Sequence, residues 1–167
     1  CQGVHHALHF LDAIAHEKDV RIGQKVVVIG GGNTAIDSAR TAARLGADVT
    51  VVYRRQRQDM PAIPEEVDEA YEEGVKFVYL CAPHRIISDG QGAVKAIEVQ
   101  KTTLGEFGVT GRRRPVPTDE VMRISCDTII LAIGERVDTV VTGGSQLELK
   151  RDGTIKVDRH SSETNLL

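Results

Sequence analysis

Val26-Val-Val-Ile-Gly30-Gly31-Gly32-Asn33-Thr34-Ala35-Ile36-Asp37 carries an apolar, β-branched run into a glycine cluster and straight on into a helical pattern. That order reads as strand, tight turn and helix, the unit that seats the pyrophosphate of a dinucleotide. Gly30 allows the tight turn, and Gly32 lets the backbone approach a phosphate with no Cβ in the way. Ala35 fills the third position, where the helix must pack closely on the strand. The N–H groups from Gly31 through Asn33 and Thr34, at the positive end of the helix dipole, then face the anion.

A second strand, Val49-Thr-Val-Val-Tyr53, ends in Arg54-Arg55 about twenty residues beyond the glycines, where this unit brings a strand end beside the adenosine ribose. An acidic residue there would accept from the ribose hydroxyls and favour NAD. Two arginines instead offer forked donors to a 2′-phosphate, which favours NADP. The competing reading is a solvated strand end. Arg57, in the loop that follows, is a candidate third phosphate contact.

The run Gly30 to Arg40, then Val49 to Arg55, then Met60-Pro-Ala and Pro64-Glu-Glu-Val, closely resembles the NADPH domain of the glutamate synthase small-subunit family. Its relatives include dihydropyrimidine dehydrogenase and the flavin subunits of ferredoxin-linked transhydrogenases. Asp127-Thr-Ile-Ile-Leu-Ala132-Ile133-Gly134 resembles the turn that this family brings to the cofactor, and Gly153 to Asp158 resembles the strand returning towards the flavin domain. The resemblance implies an α/β, Rossmann-like three-layer domain of the FAD/NAD(P)-binding type: parallel sheet, helices and an inserted antiparallel β-meander. It also implies hydride transfer from NADPH to FAD. The cofactors perform that step, so no general acid, base or nucleophile is required, and the spacing of His5, His84, His160 and the serines supports no triad.

The composition is that of an ordinary soluble protein. At 167 residues, 41% apolar and 27% charged, the chain is long enough for one substantial core. A net charge of −3 offers no general attraction to nucleic acid or anionic membrane, and no apolar stretch has the length of a membrane span. The three cysteines, Cys1, Cys81 and Cys126, form no Cys-x-x-Cys. That argues for a reducing, cytoplasmic setting and against a disulfide reductase of the thioredoxin reductase type, and it leaves no cluster site.

Along the chain, the spacing predicts a connecting helix from Val4 to Ala15, with His5 and His9 one turn apart on it. A metal site there would lack a third ligand, so none is expected. Strand Lys25–Ile29 leads to a helix over 33–45, in which Asp37 reads as a first-turn carboxylate and Arg40 and Arg44 as solvated. Pro64 starts an acidic helix reaching about Glu73, and Lys76–Leu80 reads as a strand. Asp89-Gly90 marks a hairpin turn between Arg85–Ser88 and Val94–Lys101. A looser stretch over 102–119 holds Arg112-Arg113-Arg114, read as a solvated loop or a docking patch for a partner subunit. Val121–Ile124 completes the meander, and Thr128–Ala132 is the return strand.

These readings divide the chain into a connecting helix (1–22), a dinucleotide-binding core (23–140) and a return segment (141–167). The start at Cys1, the want of a second glycine fingerprint and the want of cluster cysteines suggest one module of a longer flavoprotein. It would bind NADPH, or NADH in a transhydrogenase-type or hydrogenase-type subunit, while FAD and an iron–sulfur or large-subunit partner sit elsewhere. Two other classes remain: a free-standing NADP(H)-sensing module, and an NAD-dependent dehydrogenase with its own substrate pocket. The meander and the absent acidic ribose residue speak against the latter.

Overall fold

Strand β1 (Val4–His6) and helix α1 (Ala7–Ala15) open the chain, where the sequence predicts a single helix. The apolar spacing was real, but its first residues are claimed by the sheet edge. Val4, His5 and His6 pair in parallel with Ile129, Ile130 and Leu131. His5 therefore lies on a strand and His9 on a helix, so the one-turn spacing that suggested a metal pair does not exist. Among the described residues no group of three or more His, Cys, Asp or Glu is placed to hold a metal ion.

The computed structural model describes residues 1–108, 111–134 and 142–166. Strand β2 (Lys25–Ile29) runs into helix α2 (Asn33–Arg44) and then β3 (Asp48–Tyr53). Helix α3 (Pro64–Glu72) leads to β4 (Lys76–Tyr79). Then come β5 (Cys81–Ser88), β6 (Val94–Phe107), β7 (Arg113–Ser125) and β8 (Thr128–Leu131). A five-stranded parallel sheet has the order β1-β8-β2-β3-β4, and β5-β6-β7 form a separate antiparallel meander.

Both faces of the parallel sheet are covered, which is why β2 is apolar without alternation. Val26 and Val28 join a core with Phe10, Ala35, Ile36, Ala39 and Val67 on the helical side. Val27 and Ile29 join a second core with Val94, Ile97, Val99 and Ile129 on the meander side. The three layers are thus helices, parallel sheet and meander. The small side chains of Ala35, Ala39 and Ala42, all fully buried, let α2 lie close on the sheet.

Asp127 closes the sheet's lower end. Its carboxylate accepts from the backbone N–H of Gln24 (3.0 Å) and Lys25 (3.1 Å), and Thr128 Oγ1 accepts from Gly23 N–H at 2.8 Å.

Two expectations on α2 are corrected. Asp37 is exposed in the second turn, and the first turn holds no acid. Arg40 and Arg44 are not merely solvated: both reach Glu73 (2.8 and 2.6 Å), and Arg40 also reaches Glu69 at 2.7 Å. Hydrogen bonds from Arg40, then from Arg44, hold the Glu73 carboxyl down to about 2. A carboxylate depressed by folding stabilises the native state above its unfolded value and loses that contribution as pH falls. Acid unfolding is therefore expected to draw on this cluster between 4.5 and about 2. Glu73→Gln should flatten that limb in urea titrations across the range; an unchanged acid slope would show that the cluster contributes nothing.

The stretch over 102–119, expected to be loose, is ordered hairpin wherever it is described, because β6 and β7 extend through it with Thr102, Thr103 and Leu104 opposite Pro117, Val116 and Pro115. β7 is an edge strand, so the missing N–H groups of Pro115 and Pro117 are tolerated there.

The chain divides into two compact units, Cys1–Ile133 and Gly134–Leu167. In the second, the segment Gly153–Asp158 contributes one antiparallel bridge, Leu149 with Ile155, around a turn in which Gly153 has φ +84°. The division expected between 140 and 141 falls at residues 135–141, which lie outside the described residues.

Candidate dinucleotide site

From β2 the chain winds to β3 and β4 on one side, then returns through the meander to β8 on the other. The point where winding reverses, between β2 and β8, is where an open α/β sheet leaves a crevice beyond its carboxyl ends. A cleft of about 540 Å³ opens there, lined by Ile29 to Gly32 after β2, Val52 to Arg55 at the end of β3, and Ala132 and Ile133 after β8.

The three glycines answer to different neighbours. Gly30 has φ +151°, and a Cβ on it would lie 2.5 Å from the Ala132 carbonyl oxygen. A Cβ on Gly31 would lie 2.5 Å from two ring carbons of Tyr53. Gly32 is different: a Cβ there would meet only Pro61, at 3.8 Å. The fold itself does not demand a glycine at 32.

Around them the backbone is tied down. Gly30 N–H donates to Val52 (3.1 Å), Ala62 N–H to Gly31 (3.1 Å), and Ala132 N–H to Ile29 (2.8 Å). Asn33 uses its side chain to accept from Ile63 N–H at 3.0 Å, so it positions the loop over 60–63 as well as starting α2. The N–H groups of Gly31, Gly32, Asn33 and Thr34 have no acceptor among the described residues, whereas Ala35 and Ile36 donate back to the Gly32 carbonyl (2.9 and 3.2 Å). Four donors without acceptors among the described residues stand at the start of a twelve-residue helix, an arrangement that suits an anion. Ala35 lies beneath it, fully buried.

At the end of β3, Tyr53 is buried and its hydroxyl donates to the Asp59 carbonyl at 2.7 Å. The next two residues are clamped through their main chain. Thr102 Oγ1, on β6, donates to the Arg54 carbonyl (2.9 Å), and Leu80 N–H donates to the Arg55 carbonyl (3.1 Å). Leu80, with φ +54°, in turn accepts from Thr102 N–H at 2.7 Å, so one corner turns the chain from sheet into meander and fixes both arginines. Thr102 is 4% exposed. It holds the Arg54 backbone, and no sequence motif marked it.

Of the residues read from the sequence, Gly30, Gly31, Gly32, Arg54, Arg55, Ala132 and Ile133 line one cleft. Asn33, Thr34 and Ala35 form the adjoining helix start. Arg57 is elsewhere engaged: it pairs with Asp68 on α3 and lies over the Tyr71 ring, 5.4 Å from its centre, and is not part of the lining. Gly134, with φ +121°, opens the second unit. The sequence reading did not anticipate Pro83, Cys81 or Arg112 in the lining. Cys81 is buried and free, and burial pushes its thiol up. All three cysteines are free, so no dithiol pair faces the cleft.

Among the described residues no helix is long and apolar enough to cross a membrane. Comparison with solved structures supports the fold: thioredoxin reductase from T. acidophilum superposes with a TM-score of 0.69 at 20% identity, over 98% of this chain and 46% of that one. Closer in sequence is the NADPH-Fe(3+) oxidoreductase subunit beta of Geobacter sulfurreducens, 49% identical over 120 residues, 70% of this chain and 18% of the relative. The glutamate synthase [NADPH] small chain of Halomonas elongata is 43% identical over 145 residues, 79% of this chain and 30% of the relative. The chain thus spans less than a third of the length of either. The family model for pyridine nucleotide-disulphide oxidoreductases matches residues 1–166, and the chain belongs to that family.

Proposed function

We propose that the cleft binds NADPH and that the chain is the NADPH-binding module of a flavin-dependent oxidoreductase resembling the glutamate synthase small chain. The observation that carries this reading is the paired chemistry of the cleft. A seat of four unpartnered N–H groups lies after β2, and two arginines without carboxylate partners among the described residues stand at the end of β3. The first suits a pyrophosphate, the second a ribose phosphate. The printed names of the two relatives, both of which specify NADPH, agree with that assignment.

In this reading Gly31, Gly32, Asn33 and Thr34 hold the pyrophosphate, and Arg54 and Arg55 take the 2′-phosphate. Ala132 and Ile133 border the cleft after β8, where Ile133 stands 64% exposed and offers an apolar surface to the nicotinamide side. Gly134 extends that turn. Arg57 braces the loop against Asp68 instead of touching phosphate. When bound, the nicotinamide supplies a hydride to FAD. This chain's residues orient and hold the nucleotide, and none of them needs to exchange a proton. FAD, with an iron–sulfur or large-subunit partner, is assigned to other parts of such a protein, in a reducing cytoplasm suited to three free cysteines.

Calorimetric titration with NADPH and with NADH tests the reading. Tighter binding of NADPH is expected. Equal or tighter binding of NADH overturns the phosphate assignment and points to an NADH-fed flavoprotein subunit. Binding of neither overturns the reading for this chain.

A further inference from the structure

We infer that Arg112, in the bend before β7 of the meander, is a third cation of the 2′-phosphate site and sets the preference for NADPH over NADH. The inference rests on the reading of the cleft as an NADPH site.

The arginine triplet divides by position: Arg112 lies in the bend before β7, and Arg113 is the first residue of that strand. Arg113 turns its guanidinium onto its own hairpin, donating to the carbonyls of Leu104 (2.7 Å) and Gly105 (3.1 Å). Arg112 instead lines the cleft together with Arg54 and Arg55. Its backbone is held at both sides. The Arg112 carbonyl accepts from Gly108 N–H at 2.9 Å, and the Arg113 carbonyl accepts from Arg55 Nε at 2.7 Å.

That last bond ties the hairpin to the end of β3, the ribose side of the cleft in this reading. Arg55 thus touches the cleft and the hairpin at once, and brings Arg112 to the same corner.

The charge pattern supports a ligand. Arg40, Arg44, Arg57, Arg85 and Arg123 each pair with a carboxylate. Arg54, Arg55 and Arg112, like Arg113, Arg114, Arg151 and Arg159, have none among the described residues, and only the first three share the cleft. Three guanidiniums lining one cleft without a counter-charge suit a doubly charged phosphate monoester better than any single carboxylate.

The test is titration of Arg112→Ala with NADPH, NADH, 2′,5′-ADP and 5′-ADP, beside the unaltered protein. Losing one exposed charge-assisted contact is expected to weaken NADPH and 2′,5′-ADP about tenfold. NADH and 5′-ADP should be unchanged. The salt dependence of NADPH binding should also become shallower. Circular dichroism melting checks that the hairpin persists, which the bonds of Arg113 to Leu104 and Gly105 lead one to expect. Unchanged NADPH binding overturns the inference and leaves the NADPH site standing. Equal loss for all four ligands overturns it too, since Arg112 would then serve the shared diphosphate or the fold. If the unaltered protein binds neither nucleotide, the reading of the cleft falls first and this inference with it.

Discussion

Replacing both β3 arginines, as Arg54→Ala/Arg55→Ala, is expected to weaken NADPH binding about a hundredfold while NADH binding stays within a small factor of its original value. The asymmetry follows from placement. Both side chains line the cleft at the strand end, and neither has a carboxylate partner among the described residues whose loss would complicate the result. The fold at this corner is held by main-chain carbonyls, through Thr102 and Leu80, so alanine removes the guanidiniums without releasing the strand end. Arg55 does carry one structural bond, to the Arg113 carbonyl. Arg54→Ala alone should therefore report the phosphate contact most cleanly, and the further loss in the double variant includes some loosening of the hairpin. If NADPH binds the double variant as tightly as before, the arginines are a solvated strand end after all.

The second large effect separates the three glycines. Gly31→Ala should lower stability by roughly 2 to 3 kcal/mol, because the new Cβ would sit 2.5 Å from the buried Tyr53 ring, which is held by its hydroxyl on Asp59. Gly30→Ala should do at least as much, because its contact is a carbonyl oxygen on the neighbouring strand end and its φ of +151° disfavours a side chain. Gly32→Ala should melt within about 1 kcal/mol of the original protein, since only Pro61 lies near. It should nevertheless weaken NADPH and NADH alike, about tenfold or more, by holding phosphate away from the N–H seat. Thermal melts paired with titrations decide this. A Gly32→Ala protein that binds both nucleotides normally would mean that no phosphate approaches the turn.

The glycine turn and β3 were legible in the sequence because their signals are local. A β-branched run, a tight turn and a helix start lie within a dozen residues, and the strand bounds came out as read or one residue longer. What escaped was set by distant partners. The three residues of β1 were absorbed into a helical pattern, because the strand that claims them lies some 125 residues further on. The hairpin over 102–119 looked loose because Pro115 and Pro117 normally forbid a strand, and only its place at a sheet edge lifts that objection. Arg112 was lost with it: its meaning depends on where that hairpin docks. Arg57 lies near the phosphate corner in sequence, but in the structure it pairs with Asp68 and lies over the Tyr71 ring on α3.

The Thr102 hydroxyl on the Arg54 carbonyl and the Arg55 Nε on the Arg113 carbonyl span 48 and 58 positions of chain. For anyone redesigning coenzyme choice, this makes the β3 arginines a poor transplant by themselves. On the NADPH reading, grafting them into a scaffold that lacks the β6–β7 arm would leave Arg55 without its side-chain tie and the Arg54 backbone without its Thr102 hydrogen bond, with more freedom to lose on capturing a phosphate. The portable unit is the strand end together with the arm that steadies it.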